Sequence, residues 1–148
     1  MFPTAGRLSG VRGTWDRRRI TAIAIGGAAG GSLRWAVVTS VEAYPFPWPV
    51  FALNVIGSVL LGVLLAEERS HPRARLLLHD VGGIGFCGGL TTFSTFSLEV
   101  VNLVRNSNAW VAIIYAVASV AAAIAGVTAG AATRRRVRAV TLPLEEQP

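Results

Sequence analysis

Residues 85 to 99 read GFCGGLTTFSTFSLE, and three kinds of chemistry meet in them. Thr91, Thr92, Ser94, Thr95 and Ser97 carry hydroxyls that can donate hydrogen bonds to an anion. Phe93 and Phe96 can turn the electropositive edges of their rings toward the same charge. Gly85, Gly88 and Gly89 each weaken a helix by roughly 1 kcal/mol relative to alanine, as do Gly82 and Gly83 just before them. The glycines predict a break between Gly88 and Thr91. A break inside a membrane frees carbonyls that need partners, so a buried Na⁺, as in broken transporter helices, or an ordered water is expected there. A small, hard anion requires such a density of donors, because it gives up the most on leaving water; the pattern suits fluoride better than larger halides.

Each feature also has a plain structural reading. A hydroxyl can bond the carbonyl four residues back in its own helix. Two phenylalanines three apart are usually core, and glycines permit close helix crossings. At about 100° per residue, Thr92, Thr95 and Glu99 share one stripe, and Phe93, Phe96 and Ser97 the next. The combination of break, donors and paired rings is what raises the functional reading.

The elements that must hold these residues are membrane helices. Of the 148 residues 52% are hydrophobic and 15% charged, with mean hydropathy +0.52. Apolar spans run from about 20 to 41, 48 to 66, 76 to 104 and 109 to 133, each reaching the roughly 20 residues that cross a bilayer. Residues 1–19 form a basic tail, with Trp15 at headgroup level, and 134–148 form a second tail ending in a frayed TLPLEEQP. The fold class is therefore all-α: four transmembrane helices with a broken third. No cleavable leader is expected, and the lone Cys87 excludes an intrachain disulfide.

All fourteen basic residues are arginines. Arg7, Arg12, Arg17, Arg18 and Arg19 precede the first span. Arg69, Arg73 and Arg75 separate the second and third, and Arg134, Arg135, Arg136 and Arg138 follow the fourth. These twelve of the fourteen lie on one side, with only Arg105 on the opposite side and Arg34 inside span one; this is the positive-inside signature, so both termini are expected in the cytoplasm and the protein in the cell membrane. It also accounts for the net charge of +6 without a nucleic-acid partner.

Other polar residues fall within the spans. Arg34 follows the GGAAGG run of span one, about 21 Å from Ile20 along a helix; it reads equally as a vestibule charge or a snorkelling anchor. Asn54 and Ser58 share a face of span two, as interhelical glue or as pore-lining donors. Tyr115 and Ser119 share a face of span four, as packing polars or as a polar track. The connection VEAYPFPWP reads as a rigid turn at the interface. His71, His79 and Asp80 lack the third ligand a zinc site needs.

With GGAAGGSLRW at 26–35, NVIGSVLLG at 54–62, GFCGGLTTFSTFSLE at 85–99, and Tyr115 with Ser119, the chain resembles the Fluc/CrcB fluoride channels across all four spans. The resemblance implies an antiparallel dimer with two pores between its subunits. It implies a structural, untransported Na⁺ on the dimer axis, held by backbone carbonyls of Gly88 and Thr91. It places Phe93, Phe96, Asn54, Thr95, Tyr115 and Ser119 along the fluoride pathway, and Arg34 and Glu99 near the pore ends. One departure is Ala123, where the family's track often has a further serine. A second tension is the strong arginine bias. An antiparallel homodimer needs a chain that inserts both ways, so this chain is expected to insert N-in only and to pair with an oppositely oriented homologue.

Two rivals are weaker. A small four-span proton-coupled multidrug exporter needs a central carboxylate in span one, which has Arg34 and no acid before Glu42. A non-transporting helix-packing subunit leaves the break and the ring pair unexplained.

Overall fold

The computed structural model describes residues 17–41, 45–66 and 72–141. Trp15 and the tail before Arg17, Glu42 and Tyr44 of the aromatic turn, Arg69, His71 and the tail after Thr141 lie outside the described residues. Four crossings, each long and apolar enough to span a membrane, make up the chain, and the described residues contain no strand.

The first crossing is α1, Arg17–Ser40, and the second is α2, Trp48–Leu65. Pro49 lies in the first turn of α2, where its missing N–H leaves no gap in the ladder. The third crossing comes in two pieces. Its first piece, α3 (72–90), is one turn Pro72–Ala74, a π-wound stretch Arg75–Cys87 and a last turn Gly88–Leu90. Thr91 and Thr92 follow with extended backbone, at ψ 156° and 129°. The second piece is α4, Phe93–Arg105, and the fourth crossing is α5, Ala109–Thr141. A tight turn joins α4 to α5, with Ser107 at φ 59°.

The broken third helix is present, but the glycines are not where it opens. Gly88 is helical, at φ −64° and ψ −34°. The extended residues are Thr91, at the far edge of the expected window, and Thr92, just past it. The glycines bring backbones together instead. A Cβ on Gly26 or Gly30 would collide with the Val81 or Phe86 carbonyl of α3, and one on Gly89 with the Gly27 carbonyl of α1. α1 therefore lies directly on the π-wound half of the third crossing, while α2 lies along α5. On that second seam Gly62 faces the Val127 carbonyl and Gly130 the Val59 carbonyl. Close approach of this kind is how helices associate in lipid, where no hydrophobic force drives them together.

The fourth helix does not stop at residue 133. It continues as α5 through Arg134, Arg135, Arg136 and Arg138 to Thr141, so the first part of the expected tail is helical. Its 33 residues make a rod of about 50 Å, longer than the roughly 30 Å of hydrocarbon. The described tryptophans, Trp35, Trp48 and Trp110, are all exposed and all lie at the end opposite these arginines. Tryptophan settles at headgroup depth, so that end is an interfacial belt.

Candidate functional site

At the break the backbone changes hydrogen-bonding partners, and two side chains control the change. Asn54, reaching across from α2, clamps Thr92. Its Oδ1 accepts the Thr92 N–H at 2.8 Å, and its Nδ2 donates to the Thr92 carbonyl at 3.2 Å. Thr92 then caps α4: its Oγ1 accepts the Thr95 N–H at 3.2 Å and donates to Thr95 Oγ1 at 3.1 Å. This N-cap satisfies one of the amide groups that a helix start leaves open. One residue earlier, both the N–H and the hydroxyl of Thr91 turn back to the Cys87 carbonyl, at 3.0 and 2.9 Å.

These capping bonds deprive particular carbonyls. In a continuous α-helix the Thr92 N–H would close onto the Gly88 carbonyl, and the Thr95 N–H onto the Thr91 carbonyl. Here Asn54 takes the first N–H and the Thr92 hydroxyl takes the second. Gly88 and Thr91 thus hold oxygen acceptors whose helical donors have gone elsewhere. A Cβ built on Gly88 would meet no described atom within 4 Å, and the residue is exposed. A set of backbone oxygens beside open space is the donor type a hard cation takes.

Beside the break lies a cleft of about 380 Å³. Asn54, Ser58, Thr91, Thr92, Phe93 and Phe96 line it from α2 and the third crossing, and Ser119 lines it from α5. Ser119 is buried, and its hydroxyl has no hydrogen-bond partner among the described residues. A buried hydroxyl left open costs free energy unless something fills the space in front of it. Val120 and Ala123 complete the apolar side, so the departure at Ala123 falls on the cleft wall.

From the cleft a ladder of rings climbs toward the tryptophan end. Phe93 and Phe96 have centroids 5.7 Å apart, Phe96 and Tyr115 5.3 Å, and Tyr115 and Phe46 5.3 Å edge-on at 86°. Tyr115 is fully buried, and its hydroxyl donates to Glu99 Oε2 at 2.5 Å. Phe93 begins the ladder with 79% of its surface exposed.

A family model described as "CrcB-like protein, Camphor Resistance (CrcB)" matches residues 21–131. The chain belongs to the CrcB family. A fluoride-specific ion channel FluC 2 of Rhodococcus jostii is 42% identical over 109 residues, covering 73% of this chain and 91% of that one. A fluoride-specific ion channel FluC of Novosphingobium aromaticivorans is 42% identical over 123 residues, covering 78% and 94%. One of Bordetella pertussis is 39% identical over 122 residues, covering 82% and 95%.

In this CrcB chain the cleft gathers Asn54, Gly88, Thr91, Phe93, Phe96 and Ser119 from the expected site residues. Thr95 stands behind the cleft on the Thr92 hydroxyl, and Tyr115 and Glu99 form a pair one step along the ring ladder. Arg34, half-buried on α1, does not line the cleft, and no described acid pairs with it. Three residues carry more than sequence reasoning assigned them. Thr92 is the cap, which its position three before a backbone N–H at a helix start could have signalled. Ser58 lines the cleft, as its spacing from Asn54 allowed. Phe46, from the proline-rich turn, closes the ring ladder, and only the fold reveals that.

Proposed function

We propose that this CrcB chain is a fluoride-selective channel of the cell membrane that lets fluoride leave the cytoplasm passively. The observation that carries the reading is the convergence of hydroxyl-bearing side chains, the Phe93 and Phe96 rings and the unpartnered buried hydroxyl of Ser119 on one cleft at the helix break. Fluoride gives up strong hydration on entering, and oriented donors replace that hydration. Ring edges complete the lining without adding a group that binds too tightly to release the ion. Outward flow draws on the membrane potential, worth about 2.3 kcal/mol per charge per 100 mV. The basic ends of the helices face the cytoplasm.

The working unit in this reading is an antiparallel dimer. Gly88, facing open space, and Phe93, exposed at the mouth of the cleft, belong to the face a second copy would cover. The Gly88 and Thr91 carbonyls fit a structural Na⁺ shared between two such faces. That ion would supply fixed positive charge near the anion's route. The arginine bias favours one orientation for this chain, with an inverted homologue as partner.

The test is ion release from proteoliposomes containing the purified protein, followed with fluoride- and chloride-selective electrodes. Rapid release of fluoride with chloride retained is the expected result. Equal release of both halides, or of neither, overturns the assignment.

A further inference from the structure

Five side chains with hydrogen-bonding groups line the cleft at the helix break: Asn54, Ser58, Thr91, Thr92 and Ser119. An anion calls for donors, and each hydroxyl has one. Thr91 gives its O–H to the Cys87 carbonyl, and Thr92 gives its own to Thr95. Asn54 holds Thr92 with its carbonyl oxygen and one N–H, which leaves a single N–H over. Ser58 and Ser119 are 9% and 4% exposed, and neither hydroxyl has a partner among the described residues. Other hydroxyls in these helices, those of Thr21, Thr39, Ser97 and Thr128, each donate to the carbonyl four residues back. Ser58 makes no such bond to Asn54, although it lies well inside α2. The hydroxyls still available to an ion in the cleft are therefore those of two serines, one on α2 and one on α5.

The two serines stand at different depths. A Cβ on Gly126 would lie 3.4 Å from the Ser58 Cβ, so Ser58 meets α5 at a level seven residues past Ser119, toward the arginine-bearing end. Seven residues of helix rise about 10 Å. Gly126 presents no side chain at that level, and Ala123, between the two levels, brings no hydroxyl to the cleft wall. We propose that Ser58 is the donor that first receives fluoride from the arginine-bearing side and hands it on toward Ser119. The inference rests on the fluoride-channel reading and adds to it a residue on α2 that touches the ion. Fluoride sheds water on entering, and the Ser58 hydroxyl supplies a hydrogen bond at that step. The remaining Asn54 N–H follows one turn further along α2, and Ser119 lies beyond it on α5. Successive weak contacts let an ion move on instead of staying bound.

The experiment is fluoride release from matched proteoliposomes at low fluoride, with chloride as the reference ion and assembly checked by gel filtration. Ser58→Ala removes one oxygen and keeps the Cβ that packs at Gly126. It should slow fluoride release about tenfold, because a hydrogen bond to a charged group is worth roughly that factor and its loss at the dehydration step enters the rate directly. Adding Ala123→Ser to Ser58→Ala returns a hydroxyl to the same wall and should regain most of the lost rate. Thr128→Val removes a hydroxyl that α5 satisfies internally, outside the cleft, and should leave release unchanged. Release by Ser58→Ala as fast as by a selective wild type overturns the proposal and leaves the fluoride reading standing. Slowing that Ala123→Ser does not relieve assigns Ser58 to helix packing and also overturns it. Wild type that releases both halides alike, or neither, overturns the fluoride reading and this inference with it.

Discussion

Replacing Asn54 should unseat the helix break itself. Its amide satisfies both the N–H and the carbonyl of Thr92, a residue 9% exposed. Asn54→Ala leaves two buried backbone groups open, at about 1 to 3 kcal/mol each. Measured interhelical hydrogen bonds in lipid average nearer 0.6 kcal/mol, so the lower end is the safer figure. A loss between two bonds at about 0.6 kcal/mol each and two open groups at about 1 kcal/mol each would speed exchange of the Thr92 amide about 8- to 30-fold. Hydrogen exchange with mass spectrometry, read on a peptide spanning the break, measures it directly. Asn54→Asp separates two roles for the residue. It keeps the acceptor for the Thr92 N–H but loses the donor to the carbonyl, so its exchange should lie between alanine and wild type. Were Asn54 only a ligand for the passing anion, Asp would abolish fluoride flux while the break stayed fully protected. Unchanged exchange in Asn54→Ala would refute the clamp.

Gly30→Ala should disrupt the α1–α3 seam, because its Cβ collides with the Phe86 carbonyl, whereas Gly88→Ala should leave the single subunit folded, because nothing lies within 4 Å. Thermal unfolding in detergent distinguishes them, and loss of assembly in Gly88→Ala alone would locate a second copy at that face. Thr92→Val removes the cap of α4 and should cost about 1 kcal/mol, with Thr92→Ser recovering most of it; equal stability for both variants would remove the cap from the account. Cysteines placed at the two termini should be labelled from the cytoplasmic face alone in intact cells. Labelling from both faces would show that the arginine bias does not fix orientation.

The architecture was legible because lipid leaves few choices. Four span-length apolar runs with arginines on one side define the crossings. Gly26 and Gly30, in the GGAAGG run of span one, form the tight seam, though only the fold shows that α3 is the helix they meet. The reason for the break was less legible. Five glycines suggested that the chain opens where the helix is weakest, yet Gly82 to Gly89 remain wound: Gly85 and Gly89 pack against the α1 backbone, Gly82 and Gly83 against Leu64 and Leu65 of α2, and Gly88 alone faces open space. The chain opens at Thr91 and Thr92, where Asn54 and the Thr92 hydroxyl offer the backbone better partners than the next helical turn. Propensity favours weakness at the glycines; the long-range partner Asn54, 38 residues earlier in the chain, decides the position. A threonine stripe was likewise expected to face one direction. Instead Thr91 and Thr92 bond backbone and Thr95 bonds Thr92, while the unpartnered hydroxyl in the cleft comes from Ser119 on another helix. The ring ladder was half visible: Phe93 and Phe96 lie three residues apart in the sequence, but Tyr115 and Phe46 join them only through folding.

The central claim is that an anion passes along the cleft and the rings beside it. The most direct test is fluoride efflux from matched proteoliposomes carrying wild type or Phe96→Ile, with assembly verified by gel filtration. Loss of the Phe96 ring from the cleft wall should slow fluoride release while the protein stays assembled. Fluoride release by Phe96→Ile as fast as by wild type would contradict the account.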